Sequence, residues 1–250
     1  MNNDKKRVFE KKVDLSDGDL RLMLEVEKTK AIRKIFETSD FVTSPKLIEV
    51  DKDKGILVFE YIENLQPIWS GLGVYWFEKI GETLGLIHKR LKLPQEYELI
   101  RKRDHRRKGI VFIHGDFWRG NMGIYKDKLV ILDWSVKPWD KQLYSVASPS
   151  IDLASFFADW LIPQRYHPFP PFKRLKRFLM KYAQTVGQES SIWELARETL
   201  AESMTEHYVK VLKRPMKKQS LMKSIQRTKT IWNIWRFESE IFESTLLAKL

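Results

Sequence analysis

Between Phe112 and Asn121 the chain reads Phe-Ile-His-Gly-Asp-Phe-Trp-Arg-Gly-Asn, and Asp133 closes the apolar run Lys-Leu-Val-Ile-Leu a few residues later. Asp116, Asn121 and Asp133 are compact oxygen donors, the kind that hard Mg²⁺ takes when it also holds phosphate oxygens. Phosphoryl transfer needs little more than such a metal, a cation on the phosphates and a carboxylate that orients the attacking hydroxyl. A hairpin with a polar loop would explain any one of these residues alone. The combination is harder to explain that way, because His-Gly-Asp with an asparagine at the fifth place beyond arises by chance in roughly one chain in a thousand of this length.

Strands are expected to deliver these groups. Gly-Ile-Val-Phe-Ile, residues 109–113, reads as a strand running into His114, and residues 128–132 read as a second one ending at Asp133, so the acids and the amide are expected at the ends of adjacent strands. Residues 7–13 alternate as a strand with Phe9, Lys11 and Val13 on one face and Val8, Glu10 and Lys12 on the other. The segment Asp-Leu-Ser-Asp-Gly-Asp then offers cap residues before a helix over 20–36. At about 100° per residue, Leu22, Val26, Thr29, Ile32 and Phe36 gather on one side of it. Glu25 falls near the middle of that arc, while Glu27 points almost the opposite way. A carboxylate centred on an apolar stripe is costly to bury unless a cation meets it, and Lys11 is the candidate partner.

Pro45 opens a strand pair, Ser-Pro-Lys-Leu-Ile-Glu-Val-Asp and Gly-Ile-Leu-Val-Phe-Glu-Tyr-Ile, joined by a turn at 51–55. Glu-Asn-Leu-Gln-Pro-Ile-Trp-Ser-Gly-Leu-Gly reads as a linker. A helix over 75–92 is expected to bury Trp76, Ile80, Leu84, Ile87 and Leu91, with Gly81 and Gly85 permitting close approach of a neighbour. From Pro171 onward the chain reads as helical, with a stripe of Trp193, Ala196, Leu200, Met204 and Val211 and a break at Lys-Arg-Pro-Met-Lys-Lys. A small strand, helix, strand, strand unit thus precedes a larger, mostly helical part. That order suggests two lobes with a crevice between them, a common place for ligands.

The 250 residues, 43% hydrophobic and 31% charged, carry enough apolar mass for a core and argue against disorder. Forty-five Lys and Arg against thirty-three Asp and Glu leave a formal charge of +12, a field that attracts phosphates, acidic metabolites, nucleic acid or an anionic membrane surface. With no cysteine, disulfides, thiolate zinc sites and a cysteine nucleophile are excluded. The first residues lack the apolar core of a signal peptide, and no stretch approaches the roughly 18 apolar residues of a membrane span. A reducing, cytoplasmic compartment is expected. His105, His167 and His207 show no metal-ligand spacing, His88 reads as a satisfied core histidine, and His114 as a loop-packing residue.

His-Gly-Asp-Phe-Trp-Arg-Gly-Asn, followed by Leu-Val-Ile-Leu-Asp-Trp-Ser and then Ser-Pro-Ser-Ile-Asp-Leu-Ala-Ser-Phe, resembles the catalytic core of the aminoglycoside phosphotransferase and choline kinase group, the small-molecule branch of the protein-kinase-like fold. The resemblance covers about residues 7–160. It implies an α+β, two-lobed protein-kinase-like fold with a reduced N-terminal lobe, residues 1–64, and a mostly helical C-terminal lobe, residues 65–250. It implies ATP and Mg²⁺ as cofactors, Asp116 as catalytic base, Asn121 and Asp133 as metal ligands, and Asp152 as structural support. It also pairs a strand lysine with a helix glutamate on the nucleotide phosphates, which corresponds to Lys11 and Glu25. Ile-Leu-Val-Phe-Glu-Tyr-Ile resembles the hinge, where backbone atoms of Glu60, Tyr61 and Ile62 would meet adenine. The family places two strands and a glycine-bearing loop ahead of the lysine strand. Ten residues precede Lys11 here and the first glycine is Gly18, so either that lid is absent or another segment closes over the nucleotide.

The acceptor implied is a hydroxyl on a small molecule. The positive field disfavours cationic acceptors and favours a neutral or anionic one: a sugar, a phosphorylated metabolite or a lipopolysaccharide-type molecule. Trp118, Arg119 and Trp139 are candidates for lining its pocket. Residues 101–108, Arg-Lys-Arg-Asp-His-Arg-Arg-Lys, read either as a solvated surface run or as an anchor for an acidic substrate or nucleic acid. The alternative is a catalytically degenerate kinase-like protein whose basic surface binds nucleic acid or an acidic partner.

Overall fold

The computed structural model describes residues 7–16, 18–68, 72–134, 143–161 and 171–188, together with 194, 197–199, 201, 232–233, 236–237 and 239. Trp139, His167, His207 and the stripe from Trp193 to Val211 lie outside the described residues. The elements, in order, are β1 (Val8–Lys12), α1 (Leu20–Phe36), β2 (Val42–Thr43), β3 (Leu47–Asp51), β4 (Ile56–Glu60), β5 (Gln66–Pro67) and α2 (Val74–Arg90), then β6 (Val111–Phe112), β7 (Met122–Tyr125), β8 (Lys128–Ile131), β9 (Val146–Ala147), α3 (Ser150–Leu161) and α4 (Phe172–Val186). They form two compact units. The first comprises Met1–Ile68, Leu86–Asp116 and Gly120–Ser148; the second comprises Trp69–Gly85, Phe117–Arg119 and Pro149–Leu250.

In the first unit, β1, β4 and β3 form an antiparallel sheet in that order, with Lys11 opposite Leu57 and Phe9 opposite Phe59. Helix α1 packs Leu22 and Val26 against Leu57, Phe59 and Val13, burying its apolar stripe as the 3.6-residue period requires. Phe9 shares the face of Lys11 yet stays 53% exposed. The β3–β4 turn ends at Gly55, whose φ of 64° suits glycine and where a Cβ would sit 2.8 Å from the Val13 carbonyl oxygen.

A second sheet runs β2-β8-β7-β5, with β2 parallel to β8 and the other pairs antiparallel. Lys126 and Asp127, both at positive φ, make the two-residue turn of the β7–β8 hairpin. Two expectations are corrected here. Part of the expected linker forms β5, paired with β7. The strand before His114 shrinks to β6 and pairs with β9, so it does not neighbour β8; antiparallel pairing with the segment at 146–147 is a long-range choice that local alternation does not encode.

On α2 and the residue just after it, the fully buried stripe is Phe77, Ile80, Leu84, Ile87 and Leu91. Phe77 takes the place expected for Trp76, because a spacing of three before Ile80 serves the same face as well as a spacing of four. In the second unit, Gly81 and Gly85 let α2 meet α4 at backbone distance: a Cβ on Gly81 would fall 2.2 Å from the Phe178 carbonyl oxygen. Around that contact Phe77, Phe156, Trp160 and Phe178 form an aromatic core, with Phe156 stacked on Phe178 at 4.4 Å between ring centroids. Among the described residues no helix is long and apolar enough to cross a membrane.

Candidate active site

Pairing of β1 with the central strand β4, and packing of α1 across the same sheet, bring Lys11 and Glu25 together. The Lys11 ammonium donates to Glu25 Oε1 and, at 2.5 Å, to Asp133 Oδ1. Glu25 is 3% exposed and its Oε2 is buried without a hydrogen-bond partner. Burial pushes the Glu25 carboxyl above its ordinary range; the Lys11 cation opposes the rise. Lys11 therefore stands between two carboxylates, one buried and one, on Asp133, that is partly open to solvent.

The loop after β6 is organised by His114, which is fully buried. Its Nε2 lies 3.0 Å from the Leu132 carbonyl oxygen and its Nδ1 accepts from the Asp116 backbone N–H at 3.2 Å, so the ring carries its proton on Nε2. The imidazole also lies 4.5 Å from the Trp134 ring, which in turn reaches Phe36 of α1. Gly115, at φ 95°, turns the chain so that Asp116 follows.

Asn121 Nδ2 donates to both the backbone oxygen and Oδ2 of Asp116, each at 2.9 Å. This use of the amide nitrogen orients the Asp116 carboxylate and leaves Asn121 Oδ1 for a cation. The β7–β8 hairpin, with Leu132 N–H donating to the Asn121 carbonyl at 2.8 Å, sets Asp133 beside Asn121. Asp133 takes a left-handed φ of 54°, a conformation that a short polar residue tolerates and that recurs at functional sites. Among the described residues no group of three or more His, Cys, Asp or Glu side chains is disposed for a metal. One amide oxygen and one carboxylate nevertheless fit Mg²⁺, which binds through few protein ligands when phosphate oxygens and water complete its shell.

At the expected hinge, Glu60 N–H donates to the Lys46 carbonyl and Tyr61 N–H to the Arg7 carbonyl, whereas Ile62 N–H meets no acceptor among the described residues. The Glu60 side chain turns to the Lys46 N–H and the Arg33 guanidinium. Asp152 is fully buried in the first turn of α3. Burial, with the Asp152 charge adding to it, pushes the Tyr182 hydroxyl far above its ordinary value. Trp118 is 39% exposed, and the Arg119 guanidinium lies 5.2 Å from the Trp160 ring.

Sequence reasoning missed two features. Lys28 is fully buried on α1 and donates to the His114 carbonyl at 2.8 Å; its only signal was a position three residues after Glu25. The basic run proved divided. Arg101 and Asp104 are buried, Asp104 accepts the Ser148 N–H and stands 3.4 Å from Arg107 Nε, and the other five cations face outward.

No protein-family model matches the chain, and no curated protein sequence matches it. Solved structures do. An amicoumacin kinase in complex with AMP-PNP, Ca²⁺ and Ami is 12% identical, with 95% of this chain and 81% of that one covered and a TM-score of 0.55. An ADP-bound aminoglycoside phosphotransferase is 11% identical over 95% of this chain and 88% of that one, also at 0.55. A microcompartment-associated aminopropanol kinase is 10% identical over 94% and 86%, again at 0.55. The chain has the protein-kinase-like fold of these small-molecule kinases and phosphotransferases.

Proposed function

We propose that the protein is an ATP- and Mg²⁺-dependent phosphotransferase that moves the γ-phosphoryl group to a hydroxyl of a small molecule. The observation that carries this reading is one connected constellation in the first unit: Lys11 held by Glu25 and Asp133, with Asn121 orienting Asp116 and joined through Leu132 to Asp133. Likeness in fold to kinases of small molecules, two of them with bound nucleotide, supports it.

In this mechanism the Asp116 carboxylate accepts a hydrogen bond from the acceptor hydroxyl and takes its proton as the oxygen attacks the γ-phosphorus, while the bond from that phosphorus to the β–γ bridging oxygen breaks and ADP leaves. Asn121 holds that carboxylate at the required angle. Lys11, kept in place by Glu25, meets the nucleotide phosphates, and Ile62 N–H is the hinge donor for the base. Asn121 Oδ1 and Asp133 are the groups that would hold Mg²⁺, which when bound supplies neutralisation of phosphate charge. The field of +12 favours a neutral or anionic acceptor such as a sugar, a phosphorylated metabolite or a lipopolysaccharide-type molecule.

ADP release from MgATP over a panel of hydroxylated metabolites tests the reading. Turnover with at least one acceptor is expected, falling about 10²–10⁴-fold in Asp116→Ala while MgADP affinity stays within a few fold. Absence of both MgATP binding and turnover would sink the phosphotransferase reading; turnover that survives Asp116→Ala would remove Asp116 as the base.

A second reading has one observation in its favour. Asp104, the acid of the basic run, turns inward, so Lys102, Arg103, Arg106, Arg107 and Lys108 present an outward cationic stretch suited to nucleic acid or an acidic partner. Steep loss of polyanion binding with added salt, in a protein that turns over no acceptor, would favour it.

A further inference from the structure

We infer that Lys28 is a positioning residue for phosphoryl transfer: its buried ammonium fixes the His114 carbonyl and so holds the loop that carries Asp116. The inference rests on the phosphotransferase reading above. Lys28 has no exposed surface and gives the His114 oxygen a 2.8 Å hydrogen bond. A fully buried lysine is rare because desolvating an ammonium is costly, and an aliphatic residue would fill the helix stripe without that cost. What the ammonium adds is a directed, charge-assisted bond to the carbonyl just before Gly115.

The placement of that bond matters. Gly115, at φ 95°, has no Cβ to limit its backbone, so the turn depends on the bonds around it. The His114 ring is pinned through Nε2 to Leu132, and the Asp116 N–H is pinned to Nδ1. Lys28 pins a further polar atom of that turn, the His114 carbonyl. Glu25 lies three residues earlier on α1, about 4.5 Å along the axis. One rigid helix therefore holds the phosphate-side lysine through Glu25 and the base-bearing loop through Lys28, which sets the spacing between Lys11 and Asp116. A misplacement of about 1 Å in reacting groups is enough to cost on the order of 10²-fold in rate.

The test compares Lys28→Met, of similar length and without the donor, with Lys28→Arg, which keeps charge and donor. Turnover, MgADP affinity and amide hydrogen exchange of residues 112–121 are measured on each full-length variant. Lys28→Met is expected to lower kcat about 10- to 100-fold with MgADP affinity within about threefold of wild type, and to speed exchange across the Asp116 loop. Lys28→Arg is expected to recover most of both losses. Wild-type kcat and exchange in Lys28→Met would overturn the inference, as would a parallel fall of kcat and MgADP affinity, which marks general damage to the fold. Should Lys28→Met not fold, Lys28→Gln, whose amide falls one bond short, is read in its place with the same two outcomes. If the wild type neither binds MgATP nor turns over any acceptor, the phosphotransferase reading fails by itself. Exchange then still decides the anchoring role: faster exchange upholds it, unchanged exchange ends it.

Discussion

Replacing Glu25 with glutamine separates the task of holding Lys11 from the task of holding the fold. Breaking a buried ion pair by removing one partner ordinarily costs about 3–5 kcal/mol, because the other charge is left buried and alone. Lys11 escapes that fate: Asp133 Oδ1 remains 2.5 Å away, and the lysine side chain keeps 18% of its surface in contact with water. The stability loss should therefore shrink to about 1 kcal/mol, the worth of one ordinary hydrogen bond. Nucleotide binding should suffer more, because Lys11 is then drawn to Asp133 alone. A charge-assisted hydrogen bond is worth about 1.5–3 kcal/mol, or roughly 10- to 150-fold in the dissociation constant of MgADP. Titration calorimetry with MgADP and urea denaturation of both proteins measure the two effects.

The pH dependence carries a sign of its own. Burial holds the Glu25 carboxyl above the ordinary glutamate value of 4.5, so the folded chain binds this proton more tightly than the unfolded chain. The wild type's advantage from this group is complete below 4.5 and is lost as pH rises through the folded value. Wild-type stability relative to Glu25→Gln should accordingly decline from acid toward neutral pH. A variant with unchanged MgADP affinity, or one destabilised by 3 kcal/mol or more, would refute this account of Glu25.

Two further substitutions test the packing. Gly81→Ala gains about 1 kcal/mol of helix propensity in isolation, yet its Cβ would meet the Phe178 carbonyl at 2.2 Å; a net loss of about 2 kcal/mol or more is expected in urea denaturation, since backbone cannot rotate aside as a side chain can. Asp104→Ala removes the acid beside the buried Arg101 and the acceptor of the Ser148 N–H, and should cost about 3 kcal/mol in the same assay.

Much of the lysine end was legible from periodicity. Glu25 stood out because it interrupts an apolar stripe, and such a residue asks for a cation; the bond from Lys11 is what the structure contains. That the same ammonium also reaches Asp133 was not readable, since the two lie 122 residues apart and no local pattern links them. Lys28 was hidden for a different reason. A lysine at the edge of a helical stripe defaults to solvent, and only the carbonyl brought over it by the fold makes its burial sensible. The pairing of β6 with β9 and the parallel contact of β2 with β8 were equally silent, because alternation reveals that a strand exists and not which strand it meets. Phe77 displaced Trp76 because two spacings satisfy the same helix face.

The hairpin formed by β7 and β8 has a consequence for how the constellation assembles. Its two-residue turn brings Asn121 and Asp133 together within a short loop, and Lys11 finds Glu25 across only 14 residues. The bond from Lys11 to Asp133 instead closes a loop of 122 residues, which by chain-entropy scaling costs about 2 kcal/mol more than closing one of 14. Each half can therefore form early from neighbours in the chain, while their union waits for the whole unit to collapse. Any change that loosens that unit should release this long-range link before either local pair.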